Sequence, residues 1–345
     1  MIKRIKFLDV SKGLLIILMV IGHSGSPVTS YIYLFHMSAF VFISGYTFNQ
    51  KHPLNTALKK RFNALYIPFI KYSLVFLLFY NVFAWMNFYD AGEMIWSPIL
   101  YIKSILNILL LGGAFFGSGL LGAFWFLTML LEISIIYLII NSIAVKYLKG
   151  TSIMTTIIIF IFILGNILIF IDYNLPRFLD NSLVMILIYH FGVLYRQFEN
   201  RIPIKLYYAL FSVLSLIIIN QYGSIDVGLN IYTNPLYFLF ASFSGVYLII
   251  YVSKTLVKFY ECKFLNFLGK NTLVILALQF LCFKFVNLII IYSYSYPYQL
   301  MSSFPTINLE SSYWWLLYSI VGLVMPIIIY KIYESIFKPK ISWLN

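Results

Sequence analysis

The sequence predicts an all-α, polytopic helical bundle embedded in a membrane. Of its 345 residues, 62% are hydrophobic and only 10% are charged, whereas soluble domains carry about 25% charged residues. The apolar residues gather in runs near the roughly 20 residues that cross a bilayer. The basic residues alternate with those runs in a sided pattern. Such a composition cannot cover a water-soluble globule, and disorder requires the opposite balance. The two cysteines, Cys262 and Cys282, form no CxxC pair, so neither a disulfide framework nor a metal site is expected. Met1–Lys6 leads into an apolar stretch without a small-residue cleavage pattern, which reads as a retained first span. Residues 1–345 therefore read as a single membrane-embedded domain with no soluble domain.

Ten apolar runs qualify as spans, at roughly 10–28, 31–48, 65–87, 122–145, 152–171, 180–196, 205–222, 235–253, 271–292 and 313–333. The first two are short and meet at a tight turn, Ser26 to Ser30. Segment 88–121 contains Gly112, Gly113, Gly117 and Gly119. It reads either as a stretch dipping into the membrane or as a surface loop with an interfacial helix. With the N-terminus inside, all but Lys103, Arg177 and Lys284 of the 24 basic residues fall on the inner side, as the positive-inside rule requires. Both termini are then cytoplasmic. The net charge of +13 belongs to these inner loops, so membrane lipids and not nucleic acid are the expected surroundings.

Ionisable groups within spans are costly and usually face a cavity or a partner. Lys12 and His23 are eleven residues apart in the first span. At 100° per residue they share one face, about 16 Å apart along the axis. Asp9 is within reach of Lys12 as an i,i+3 pair. This stripe suits a long anionic ligand entering from the cytoplasm, its head at the basic end and its reactive end at the imidazole. In the second span, a turn centred between Thr29 and Ser30 would bring His36 to the depth of His23, two imidazoles in one cavity. A hydrogen-bonded core histidine is the plainer alternative for each. Glu132 in the fourth span can orient a histidine or make a structural pair. Lys59, Lys60 and Arg61 open the third span, either as ordinary inner charge or as contacts for cofactor phosphates. Lys284 reads as reaching toward the outer interface. Gln279 diverges from it by about 140° around the helix. His190 reads as structural, and His52 falls in a loop with no chemical role.

These residues resemble the acyltransferase-3 family of integral-membrane O-acyltransferases. The start is similar to its short, single-domain branch, DxxKGxxIxLxVxGH, matched by Asp9, Lys12, Gly13, Ile16, Leu18, Val20, Gly22 and His23. The match continues through Phe35, His36, Met37, Phe40 and Phe42 to Tyr46, then Trp125, Phe126 and Leu127. Ser244-Gly245 and the run Phe267 to Leu273 resemble later segments of the family. Three positions depart from it. Lys12 stands where other branches have Arg, Ala64 where an RxxR pattern beginning at Arg61 would have its second Arg, and Gln279 where a His often closes the last motif.

The resemblance implies an enzyme that moves an acetyl or similar acyl group from cytoplasmic acetyl-CoA, or another acyl-CoA, to a hydroxyl of an envelope polysaccharide or lipid-linked sugar. It implies a multi-pass protein of the bacterial inner membrane and a branch acting on capsule, exopolysaccharide or fucose. A neutral imidazole can accept a hydroxyl proton near pH 7, so His23 is the expected general base. His36 or Glu132 would orient it or stabilise the oxyanion. Lys12, Lys60 and Arg61 would hold CoA phosphates, with Asp9 beside Lys12. A homo-oligomer is compatible with the sequence. A transporter or flippase of a glycan or polar lipid is the rival reading.

Overall fold

A bilayer offers no water to satisfy exposed peptide groups, so a spanning chain closes its hydrogen bonds within helices. The computed structural model describes residues 5–49, 53–89, 97–112, 119–144, 151–309 and 313–341. Among the described residues there are fifteen α-helices and no strand. One isolated antiparallel bridge joins Asp226 to Ile231.

Seven helical segments are long and apolar enough to cross a membrane. They are Leu54–Leu78, Gly119–Ile143, Ser152–Phe170, Pro176–Arg201, Pro235–Phe259, Thr272–Tyr294 and Trp314–Ile336. The other three runs also become helices but fall short for separate reasons. α1 (Lys6–His23) has 18 residues but carries Lys6, Asp9 and Lys12. The run at 31–48 divides into α2 (Thr29–Tyr33) and α3 (His36–Tyr46). The run at 205–222 gives α11 (Leu206–Ile219), only 14 residues long.

The third run begins earlier than its hydropathy suggests. α4 (Leu54–Arg61), a π-helical turn (Phe62–Tyr66) and α5 (Ile67–Leu78) follow one another, so the basic cluster lies on a helix and not in a loop. After α6 (Tyr80–Trp85), segment 88–121 contributes α7 (Pro98–Leu109). Ile99, Ile102, Leu106 and Leu109 are exposed on α7 at helical spacing, the pattern of a helix lying against lipid. Gly113 and Gly117 lie outside the described residues, as does His52. The remaining helices are α8 (Trp125–Ile143), α9 (Thr151–Phe170), α10 (Leu179–Phe198), α12 (Pro235–Phe259), α13 (Lys263–Lys270), α14 (Thr272–Tyr294) and α15 (Trp314–Ile341). Local chemistry starts α12: Pro235 occupies its first turn, and the Asn234 side chain accepts from the Tyr237 N–H at 2.9 Å.

Helices in lipid associate through close backbone approach and polar contacts, and α1 and α3 use both. A Cβ on Gly13 would strike the Leu265 carbonyl, and one on Gly269 would strike the Asp9 carbonyl. Glycine on both helices thus lets α1 cross α13 backbone to backbone. The α3–α10 crossing repeats the device, with Gly45 against the Tyr189 carbonyl and Gly192 against that of Phe42. Serine pairs tie the same helices to their neighbours. Ser11 donates to Ser253 at 2.8 Å, Ser38 and Ser242 are 2.7 Å apart, and Ser319 donates to Ser24 at 3.0 Å. α12 meets α1 through Ser253 and α3 through Ser242, so the helices of His23 and His36 share one support.

Candidate active site

A cavity of about 690 Å³ runs between α1, α3, α8 and α14. At one end its lining includes Lys12, Ser44, Thr47 and Arg61; at the other, His23, Tyr33, His36 and the segment Ile225 to Leu229. Lys12 and His23, one stripe in the sequence, therefore line a common passage. Trp125, Phe126 and Leu127 form part of its largely apolar wall, with Phe280 opposite.

The basic end is held from several sides. The Arg61 guanidinium donates to the Ser44 hydroxyl at 3.2 Å and to the Tyr189 hydroxyl at 2.9 Å. Ser44 and Tyr189 flank the Gly45 crossing, so the packing of α3 on α10 also aims Arg61. The π-helical turn contributes Ala64 and Leu65 to the same wall; such turns are rare and recur at functional sites. Lys60 is exposed on α4, outside the lining. Asp9 is buried at the α1–α13 crossing and also lies outside it.

At the other end two imidazoles meet across a tyrosine. The Tyr33 ring lies 6.3 Å from that of His23 and 5.1 Å from that of His36. His36 Nδ1 is 3.0 Å from the Ile32 carbonyl. A carbonyl only accepts, so Nδ1 carries the proton, and in the neutral ring Nε2 keeps a free lone pair. His23 Nδ1 is buried with no hydrogen-bond partner among the described residues, and so are both amide atoms of Gln279. The Gln279 amide faces His23. The two unpaired polar groups are therefore neighbours.

The break between α2 and α3 has a tertiary cause. The Phe35 ring occupies the space over Gly245 of α12, where a Cβ would collide with it. That seat sets where α3 begins and hence where His36 stands.

The far end is closed by two loops. Asp226 caps a short turn, accepting from the N–H groups of Gly228 and Leu229 at 3.0 and 3.3 Å. Burial pushes its carboxyl up from the usual range, and these two donors oppose the shift. Phe304 enters from the other loop, 4.8 Å from Phe280, which is 5.0 Å from His23. Lys284 holds that loop. It is 2% exposed and donates to the carbonyls of Met301 and Ser303 at 2.8 and 2.9 Å. Its ammonium therefore does not extend to the interface, because loop carbonyls descend to meet it. Lys284→Met should leave those carbonyls underbonded, at a cost of about 1–3 kcal/mol. Faster proteolytic cleavage of the purified protein within 298–306 would register the loss.

Glu132 is not in the cavity lining. It accepts from Ser182 of α10 at 2.6 Å. Five residues separate it from Leu127 in the lining, which turns it about 140° away. His190 engages Tyr137 through Nδ1 at 2.8 Å and Thr155 through Nε2 at 2.9 Å, a structural arrangement. Sequence reasoning passed over Tyr33, Asp226 and Phe304. Tyr33 alone had a local signal, its place three residues before His36 in the same apolar run.

Residues 5–331 match a family model described as an acyltransferase domain. No curated protein and no solved structure matches the chain.

Proposed function

The chain belongs to the acyltransferase-3 family and is a membrane acyltransferase; from that premise we propose that it moves an acyl group, acetyl in the simplest case, from acyl-CoA to a hydroxyl of a cell-envelope glycan or lipid-linked sugar. The observation that carries this reading is the passage joining Lys12 and Arg61 to His23 and His36. CoA offers phosphates at one end and a thioester at the end of a long arm, which matches cations at one end of a narrow cavity and imidazoles at the other.

Lys12 and Arg61 hold the phosphates, Lys60 adds charge at the mouth, and Asp9 lies one turn before Lys12. His23 acts as general base on the acceptor hydroxyl. The Gln279 amide accepts from His23 Nδ1 and leaves Nε2 to take the proton. His36 in its neutral form presents a lone pair, so it serves the oxyanion only when protonated; the Tyr33 hydroxyl is a donor without that condition. The transfer needs no metal.

The basic end faces the cytoplasm, where CoA is found and where the positive-inside rule puts such charge. With α1, the α2–α3 pair and α11 counted beside the seven longer helices, the chain crosses the bacterial inner membrane ten times, with both termini inside.

The purified chain in lipid should transfer label from acetyl-CoA to a sugar acceptor. A hydrogen bond to a charged group contributes about 1.5–3 kcal/mol, so Lys12→Ala or Arg61→Ala should raise KM for acetyl-CoA about 10- to 100-fold. Unaltered KM in both variants would refute a phosphate site at this end.

A further inference from the structure

A second cavity, of about 540 Å³, lies beyond the histidine end of the first, away from Lys12 and Arg61. Asn107, Asn174, Arg177, Asp180 and Asn230 line it, drawn from α7, the segment before α10, the first turn of α10 and the 226–231 turn. Gly228 and Leu229 line both this cavity and the one that holds the histidines. One short turn is therefore the partition between them.

The turn is firmly built. Asp226 and Ile231 exchange backbone hydrogen bonds of 2.8 and 2.9 Å. The Asn230 amide nitrogen donates to Asp180 at 2.9 Å and to Asn174 at 3.1 Å. Its amide oxygen is buried with no donor among the described residues. Arg177 and Phe178 both hold left-handed backbone, with φ of 63° and 64°, a conformation uncommon for large residues and concentrated at ligand sites. The Phe178 ring lines the outer cavity and lies 5.5 Å from that of Trp125, which lines the inner one. An aromatic pair thus bridges the partition.

Amides, one guanidinium and one carboxylate beside an aromatic ring offer donors, acceptors and an apolar face together. A phosphate group would meet Asp180; a hydroxyl-rich sugar can satisfy every one of these groups. We propose that this outer cavity binds the sugar unit next to the one being acylated, so that the acceptor glycan crosses the 226–231 turn and meets the acyl group from the face opposite CoA. The proposal rests on the acyl-transfer reading above and adds to it a second subsite and a direction of entry.

The test uses the full chain in lipid nanodiscs, acetyl-CoA, and mono- and disaccharides of glucose, galactose, N-acetylglucosamine and rhamnose. A disaccharide should be acetylated with a KM at least about tenfold below that of its monosaccharide. Arg177→Ala and Asn107→Leu, changes at exposed side chains on separate elements, should each erase that difference without altering acetyl-CoA affinity. Absence of the preference in the parent, or its survival in both variants, overturns the outer subsite and leaves acyl transfer standing. Acetyl-CoA binding with no sugar in the panel acetylated overturns the acyl-transfer reading and this subsite with it.

Discussion

His23→Ala should reduce acyl transfer by about 10²- to 10⁴-fold, the usual contribution of a positioned general base, while the chain stays folded and still binds acetyl-CoA. Stability should change little because His23 lines the cavity, so its removal enlarges an existing space and opens no new one in the packed core. The measurement is label transfer by parent and variant at matched amounts of folded protein. The same variant separates an enzyme from a transporter in cells. An enzyme without its base leaves the glycan at the surface but unacylated. If export stops and stored precursor is still acylated, His23 serves transport and the enzymatic reading fails. Full activity in His23→Ala together with its loss in His36→Gln would move the base to His36, whose tautomer the Ile32 carbonyl already fixes.

The second large effect is on folding. Gly45→Leu and Gly192→Leu should each remove most of the folded protein, because either side chain meets the backbone of the opposite helix. Adding methylene groups to a packed core costs about 1–3 kcal/mol even where side chains can yield. Here the obstacles are the carbonyls of Tyr189 and Phe42, which cannot rotate aside. The thermal midpoint in detergent should fall sharply for both variants, and acetyl-CoA binding should fall with it because Ser44 and Tyr189 position Arg61. Unchanged midpoints would mean that α3 and α10 do not cross at these glycines.

Much of the site could be read from the sequence because it is written in one helix. The spacing of Lys12 and His23 is local and needs only helical periodicity, and the short turn after Ser24 puts His36 near His23. Glu132 was legible in principle, since its angle to Leu127 follows from the same arithmetic, but which face of α8 meets the cavity is set by packing. The rest depends on contacts between distant residues. The interruption at Leu34 and Phe35 reflects Gly245, some 200 residues later in the chain, and no proline or glycine marks it. Lys284 resembles an interfacial lysine until the Met301 and Ser303 carbonyls are seen beside it. Gln279 departs from the family pattern in a way that suggests a vacant role, yet its amide stands next to the imidazole.

The π-helical turn at Phe62–Tyr66 has a mechanical consequence. It accommodates one residue more than an ordinary helical coil, so the parts before and after it are offset by about 100° around their common axis. Deleting a single residue there would make the rod uniform. The guanidinium would then swing off its serine–tyrosine mount while every greasy segment kept its length, so the aim of Arg61 depends on one surplus residue.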